Sequence, residues 1–193
     1  LKKQIVLAID VMGGDFGPET TLRGVSMASK IYPNVIFKLY GDEQVSKKEI
    51  KQNGFDNFEF IHTTESIKSD DEPVHALRKL KKSSMRLGIN EVSEKKAHGF
   101  VSAGNTGALM AISKFVLKTL SGINRPAIAG LMPTLKGQTV ILDLGANVDC
   151  SNDNLVQFAL MGDVFSQTVL GIEKPRIGLL NVGSELIKGN NVV

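Results

Sequence analysis

Tryptophan is absent and cysteine occurs once, at Cys150. A single thiol excludes an intramolecular disulfide framework and suits a reducing compartment. It also excludes the structural zinc sites built from two to four cysteines, because only three scattered histidines (His62, His75 and His98) accompany it. Net charge is small too. The 23 Lys and Arg against 20 Asp and Glu leave a formal net charge of +3 over 193 residues, too little to imply nucleic acid as a partner. No apolar run approaches a membrane span. The opening LKKQIVLAID is basic and then apolar, but its run stops at Asp10, so no secretory signal is expected.

Several motifs are missing as well. There is no G-x-G-x-x-G and no G-x-x-x-x-G-K-[ST], so dinucleotide binding and NTP hydrolysis lack their usual phosphate loops. No G-x-S-x-G elbow presents a nucleophilic serine. Asp143 and Asp149 are close in sequence, but no metal-ligating partner accompanies them, and no metal is expected.

What is present is globular: 42% of residues are hydrophobic and 22% charged, enough to bury a core. Short apolar runs at 5–10, 35–40, 58–62, 99–103, 127–132, 139–144 and 176–182 read as strands. Several lack clean alternation, which suits strands buried on both faces of a parallel sheet. Helical patterns lie between them. One begins at Pro18-Glu19 and runs to about Ile31, with Pro at a first-turn position where its missing N–H costs nothing. A second starts at Asp70-Asp71-Glu72-Pro73, with acids at the positive helix end. Gly107 to about Leu120 is a third, and Leu155 to Leu170 a fourth. Strands alternating with helices predict an α/β layered fold with a mostly parallel sheet. One domain over 1–193 is expected, with 121–126 as the best linker candidate. The C-terminal GSELIKGNNVV follows a predicted strand without a completed helix, so the chain is expected to be the N-terminal portion of a longer one.

Four polar loops follow predicted strands. They carry Asp10, Gly13, Gly14 and Asp15; Ser102, Gly104, Asn105, Thr106 and Gly107; Asp143, Gly145, Asn147 and Asp149; and Asn181, Gly183, Glu185, Lys188 and Gly189. In a parallel sheet the carboxyl ends of all strands share one edge, where ligands bind. The glycines allow backbone N–H groups to approach an anion. The 102–107 loop opens a helix, whose N-terminus favours anions. Lys188 adds a full positive charge. Such parts can hold phosphate or a developing oxyanion. Each loop alone also reads as ordinary turn chemistry. Cys150 reads as a packed, inert residue, the histidines as surface or packed groups, and Lys188 as a solvated lysine near a chain end. A helix starting near Pro73 places Arg78, Lys81 and Lys82 on one face, with Arg86 further along. This is either a solvated face or a landing patch for an acidic partner.

Taken in order, IDVMGGDFGP, DEPVHALRKLKKSSM, SAGNTGALMA, RPAIAGLMPT, LDLGANVDC, VQFALMG and GLLNVGSELIKGN resemble the acyl-ACP:phosphate acyltransferases of phospholipid synthesis, the PlsX family. The last block departs from the family's run of acids, with Ser184 and Leu186 beside the one remaining acid, Glu185. Ser151-Asn152-Asp153-Asn154 stands where the family tends to have a Pro before the helix.

The resemblance implies a three-layer α/β/α sandwich related to isocitrate and isopropylmalate dehydrogenases and to phosphotransacetylases. It implies a homodimer that transfers a fatty acyl group from acyl carrier protein (ACP) to inorganic phosphate, without a cofactor. It also implies a cytoplasmic protein, with peripheral contact to the inner membrane face through a further C-terminal part. Under that reading Lys188 stabilises phosphate or oxyanion charge, Asn147 and Asn181 orient substrate, and the 102–107 loop holds phosphate or the acyl carbonyl. Asp10, Asp15, Asp143 and Asp149 position the loops or the leaving thiol's proton, alternatives the residues leave open. Arg78, Lys81, Lys82 and Arg86 dock ACP. The rivals are a phosphotransacetylase-like enzyme using a CoA thioester, a dehydrogenase of the same fold, and a non-catalytic carrier-binding protein.

Overall fold

Alternation with a period of two builds the two faces of a sheet from Ile5–Asp10 (β1), Val35–Gly41 (β2), Phe58–His62 (β3) and Gly99–Val101 (β4). All pair in parallel, in the order β3-β2-β1-β4, with Ile9 opposite Leu39 and Val101. The computed structural model describes residues 4–54, 56–183 and 188–189. These belong to two compact units, Leu1–Lys118 and Thr119–Val193.

In the first unit, Ile9, Phe37 and Leu39 face one way. They pack against Leu22 and Val25 of helix Pro18–Ile31 (α1), with Ile50 of helix Glu43–Asn53 (α2) alongside. Ala8 and Tyr40 face the other way, against Leu87 and Val92 of helix Ser84–Ser93 (α4). The third layer is completed by helices Pro73–Lys79 (α3) and Thr106–Leu117 (α5). Their Ala76, Ala108 and Ile112 share a core with Met85 and Ile89 of α4. Each fully buried Leu or Ile contributes about 1.5–3 kcal/mol. This is the expected α/β/α layering. The chain leaves β1 for α1 on one face and leaves β4 for α5 on the other, so the sheet edge between β1 and β4 opens into a crevice.

In the second unit, Gly130–Thr134 (β5) and Gly137–Ile141 (β6) form an antiparallel hairpin. Helix Asn152–Leu170 (α6) follows. Its start is set by Ser151, whose Oγ accepts from Asn154 N–H at 3.3 Å while Asn154 Oδ1 accepts from Ser151 N–H at 3.0 Å. This reciprocal cap replaces the missing proline and starts the helix three residues before the expected Leu155.

Three further expectations are corrected. Residues 176–182 form no strand, and among the described residues of their unit only β5 and β6 pair. The strand expected at 127–132 begins at Gly130 instead. The basic helix from Pro73 ends at Lys79, with Leu80 as its C-cap. Lys81 and Lys82 therefore lie in a turn, and Arg86 belongs to α4, so these side chains do not share one helical face.

Candidate active site

β1 delivers Asp10 to the crevice almost fully buried, at 3% exposure. Its Oδ1 accepts from Ser84 Oγ at 2.6 Å and from Met12 N–H at 3.2 Å. Its Oδ2 accepts from Ser102 Oγ at 2.8 Å. Ser102 Oγ in turn accepts from Gly104 N–H at 3.0 Å. A buried carboxylate needs such donors, and here they come from the ends of β1 and β4 and the start of α4. Gly13 lies against this node. A Cβ there would stand 2.7 Å from Asp10 Oδ2, 2.8 Å from Gly104 N and 2.9 Å from Ser102 Oγ, so only glycine fits. Gly14 has φ +90° and abuts Ala103.

Outside this node lies an open cleft of 620 Å³. Met12, Gly14 and Asp15 form one wall, 103–106 a second, and 66–70 a third. The second wall runs into the N-terminus of α5. Asn105, rather than Gly107, is the helix boundary. Its Oδ1 caps Ala108 N–H at 2.9 Å, while the first-turn N–H groups of Thr106 and Gly107 have no intrahelical acceptor. Asn105 also turns its Nδ2 away from the cleft chemistry expected of it. Nδ2 donates to the carbonyls of Lys68, Ser69 and Asp71 at 3.2, 3.1 and 2.9 Å. Those residues close on themselves, since Asp71 Oδ2 accepts from Lys68 N–H at 2.8 Å.

The 66–70 wall and Ser84 went unseen in the sequence. Their signals are weak. The wall carries no glycine or motif, and Ser84 follows Ser83, which is the helix cap in the structure, accepting from Arg86 N–H. The 63–65 segment ties the wall to the basic turn. Glu65 accepts from Lys82 N–H at 2.7 Å through its carboxylate and from Ser84 N–H at 3.0 Å through its carbonyl. Arg78, Lys81 and Lys82 are exposed. They take no part in the three ion pairs found among the described residues, which involve Lys38 and Lys96. Arg86 is engaged: its guanidinium lies 5.4 Å from the Phe115 ring centroid and its Nε donates to Asn90. His62 and His98 are also accounted for, each accepting a backbone N–H at Nδ1.

In the second unit, Asp143 organises its own loop. Oδ1 accepts from Ile128 N–H at 2.7 Å and Oδ2 from Asn147 N–H at 2.7 Å. Burial, the largest single influence, pushes this carboxyl up. The N–H donors of Ile128, Asn147 and Ala146 together outweigh it and hold Asp143 below the ordinary value of 3.8. Asn147 Nδ2 donates to Pro126 O and to Asp143. Gly145 takes φ +84° with open space at its Cβ position. Asp149 has its carbonyl held by Arg125 and its side chain exposed, and Cys150 is half-buried with Sγ near Asn147 O. Asn181 Nδ2 donates to Lys188 O at 3.0 Å. Gly183 follows in the chain, and Glu185 lies outside the described residues.

The amides and acids expected at ligands are thus largely spent on holding loops. The groups left over among the described residues include backbone N–H, the Thr106 hydroxyl, the carboxylates of Asp15 and Asp149, and lysine side chains.

A family model described as "Fatty acid synthesis protein" matches residues 5–193. The chain is 52% identical over 189 residues to the phosphate acyltransferase of Magnetococcus marinus, covering 97% of this chain and 54% of that protein. It is 51% identical over 193 residues to that of Paramagnetospirillum magneticum, covering 98% and 54%. The chain therefore spans about half the length of these curated relatives. Among solved structures it is similar to the EutD phosphotransacetylase of Staphylococcus aureus, with TM-score 0.64 and 19% identity over 89% of this chain and 55% of that one. A phosphotransacetylase of Streptococcus pyogenes gives TM-score 0.61, 19% identity, and coverage of 90% and 56%. At such identity the likeness is one of fold, and it agrees with the α/β layering described above.

Proposed function

The chain belongs to the fatty acid synthesis protein family, and on that premise we propose that it transfers a fatty acyl group from acyl-ACP to inorganic phosphate, yielding acyl phosphate for phospholipid synthesis. The observation that carries this reading within the chain is the cleft at the N-terminus of α5. It is lined by Gly14, Gly104 and Thr106, the first residue of α5, with no serine or cysteine nucleophile poised by a base among its lining residues. Phosphate itself is the nucleophile. A phosphate oxygen attacks the thioester carbonyl carbon and a tetrahedral oxyanion forms. Its collapse breaks the C–S bond, and the ACP thiolate leaves and takes up a proton. The protein's task is to position phosphate and stabilise the oxyanion.

In this reading the α5 amides, the 102–107 loop and the Gly13-Gly14 loop of the first unit hold phosphate, and the family resemblance assigns charge stabilisation to Lys188. Asn147 and Asn181 act through the loops they close, and Asp10 and Asp143 do the same. Asp15, at the cleft rim, and Asp149 are the exposed acids near which a leaving thiol can be protonated. Gly145, Gly183, Glu185 and Gly189 belong to the same loops. Arg78 at the end of α3, Lys81 and Lys82 in the turn that follows, and Arg86 in α4 dock the acidic carrier. Homodimerisation and peripheral contact with the inner face of the membrane rest on family membership alone. Among the described residues no helix is long and apolar enough to cross a membrane.

Phosphate-dependent thiol release tests the reading. Long-chain acyl-ACP is mixed with the protein with and without inorganic phosphate, and free ACP thiol is followed. Release only with phosphate is expected, together with a loss of about a hundredfold or more in Lys188→Ala. Turnover with acyl-CoA but not acyl-ACP would favour the second reading, a phosphotransacetylase-like reaction, to which the fold likeness lends support. Carrier binding without turnover, in this chain and in a relative of full length, would point to a non-catalytic role.

A further inference from the structure

We infer that Asn105 is a positioning residue whose side chain does two separable jobs: its oxygen caps α5 and its amide nitrogen latches the 68–71 wall of the cleft. The inference rests on the reading that phosphate binds in that cleft. Three observations carry it. The oxygen and nitrogen of one planar amide face opposite kinds of partner, an N–H of Ala108 on one side and three carbonyls on the other. The reverse orientation would set an oxygen against three oxygens, so the network admits one arrangement. The carbonyls come from a turn closed internally by Asp71 on Lys68, so the latch moves that turn as a piece. That turn overlaps the 66–70 wall, which lines the cleft together with Gly14 and Thr106. Among the described residues Asn105 makes the only side-chain hydrogen bonds between that turn and the start of α5, and Lys68 is the one cation lining the space.

The consequence is that cleft width and the distance from Lys68 to the α5 amides depend on the Asn105 side chain, whose oxygen and nitrogen are both engaged by backbone groups, so that its loop meets phosphate through the backbone. Two substitutions separate its jobs. Asn105→Ser and Asn105→Asp both keep a good helix cap, but each removes the N–H donor, and Asp sets a carboxylate against three carbonyls.

The experiment is amide hydrogen exchange of wild type and both variants, paired with the thiol-release assay over a range of inorganic phosphate. Exchange at 66–71 is expected to rise about tenfold in both variants while 108–116 stays as protected as in wild type, as local opening without helix fraying requires. Apparent KM for phosphate is expected to rise at least about fivefold with kcat within about twofold. Conserved protection at 66–71, or equal loss of protection in α5, would overturn the latch. A collapse of kcat with unchanged KM would overturn the positioning role, because it would place Asn105 at the reacting atoms. If wild type shows no phosphate-dependent release, the functional reading fails, and hydrogen exchange still decides the latch.

Discussion

Asp10 and Ser84 are 74 positions apart in the chain, yet the Ser84 hydroxyl donates to the Asp10 carboxylate at 2.6 Å in a fully buried setting. With Ser102 on the other carboxylate oxygen, this contact joins the ends of two strands to the start of a helix. Asp10→Ala would remove the acceptor for two hydroxyls and the Met12 amide. A loss of about 3 kcal/mol in unfolding free energy is expected, read from urea denaturation at pH 7. A loss below about 1 kcal/mol would mean that water replaces the carboxylate.

Glycine is required at Gly13 and dispensable at Gly24. Alanine at Gly13 would drive a methyl into Asp10, Ser102 and the Gly104 backbone, all under 3.0 Å away. It should destabilise by about 2 kcal/mol and depress turnover. Gly24 sits within α1 with nothing within 4 Å of its Cβ position, so Gly24→Ala should stabilise by about 0.5–1 kcal/mol. Thermal melts of the two variants should move in opposite directions.

Acid should weaken the second unit through Asp143. Its carboxyl is held below 3.8 in the folded protein, since the donors of Ile128 and Asn147 outweigh burial. A depressed carboxyl contributes stability that is present above its unfolded value and lost as pH falls through the folded one. Stability measured by denaturant titration should therefore fall below about pH 4, and Asp143→Asn should flatten that part of the profile while lowering stability at neutral pH.

Reversing charge on the basic turn should affect the carrier alone. Lys81→Glu with Lys82→Glu is expected to raise KM for acyl-ACP about tenfold and to weaken its salt dependence. KM for phosphate should stay within about twofold. Equal effects on both substrates would show that the turn supports the cleft rather than the carrier.

Much of this architecture was legible in residue patterns. Pro18 marks its helix, and the strands from Ile5 to Val101 are bounded by polar or glycine residues. The failures have physical causes. α2 carries one buried residue, Ser46, so its sequence EQVSKKEIKQN has little apolar periodicity to detect. The helix expected from Pro73 carried no end mark, because no glycine or proline follows Pro73 before Gly88. The break comes from the Lys82 and Ser84 amides bonding to Glu65, a tertiary effect. The run at 176–182 is apolar enough for a strand, but a strand needs a partner as well as composition. Site loops were located from their glycines and acids. The hidden wall was not, because it contributes carbonyls, which every residue has.

The fit between Gly13 and Gly104 also bears on how such a loop can change. The two stretches come from distant parts of the chain and share one surface, with no room for even a methyl group between them. A lengthened or bulkier first loop can be accommodated only if the second retreats with it. Transplanting this cleft into another α/β scaffold would therefore require moving both turns as a matched set, together with the aspartate and two serines that clasp them.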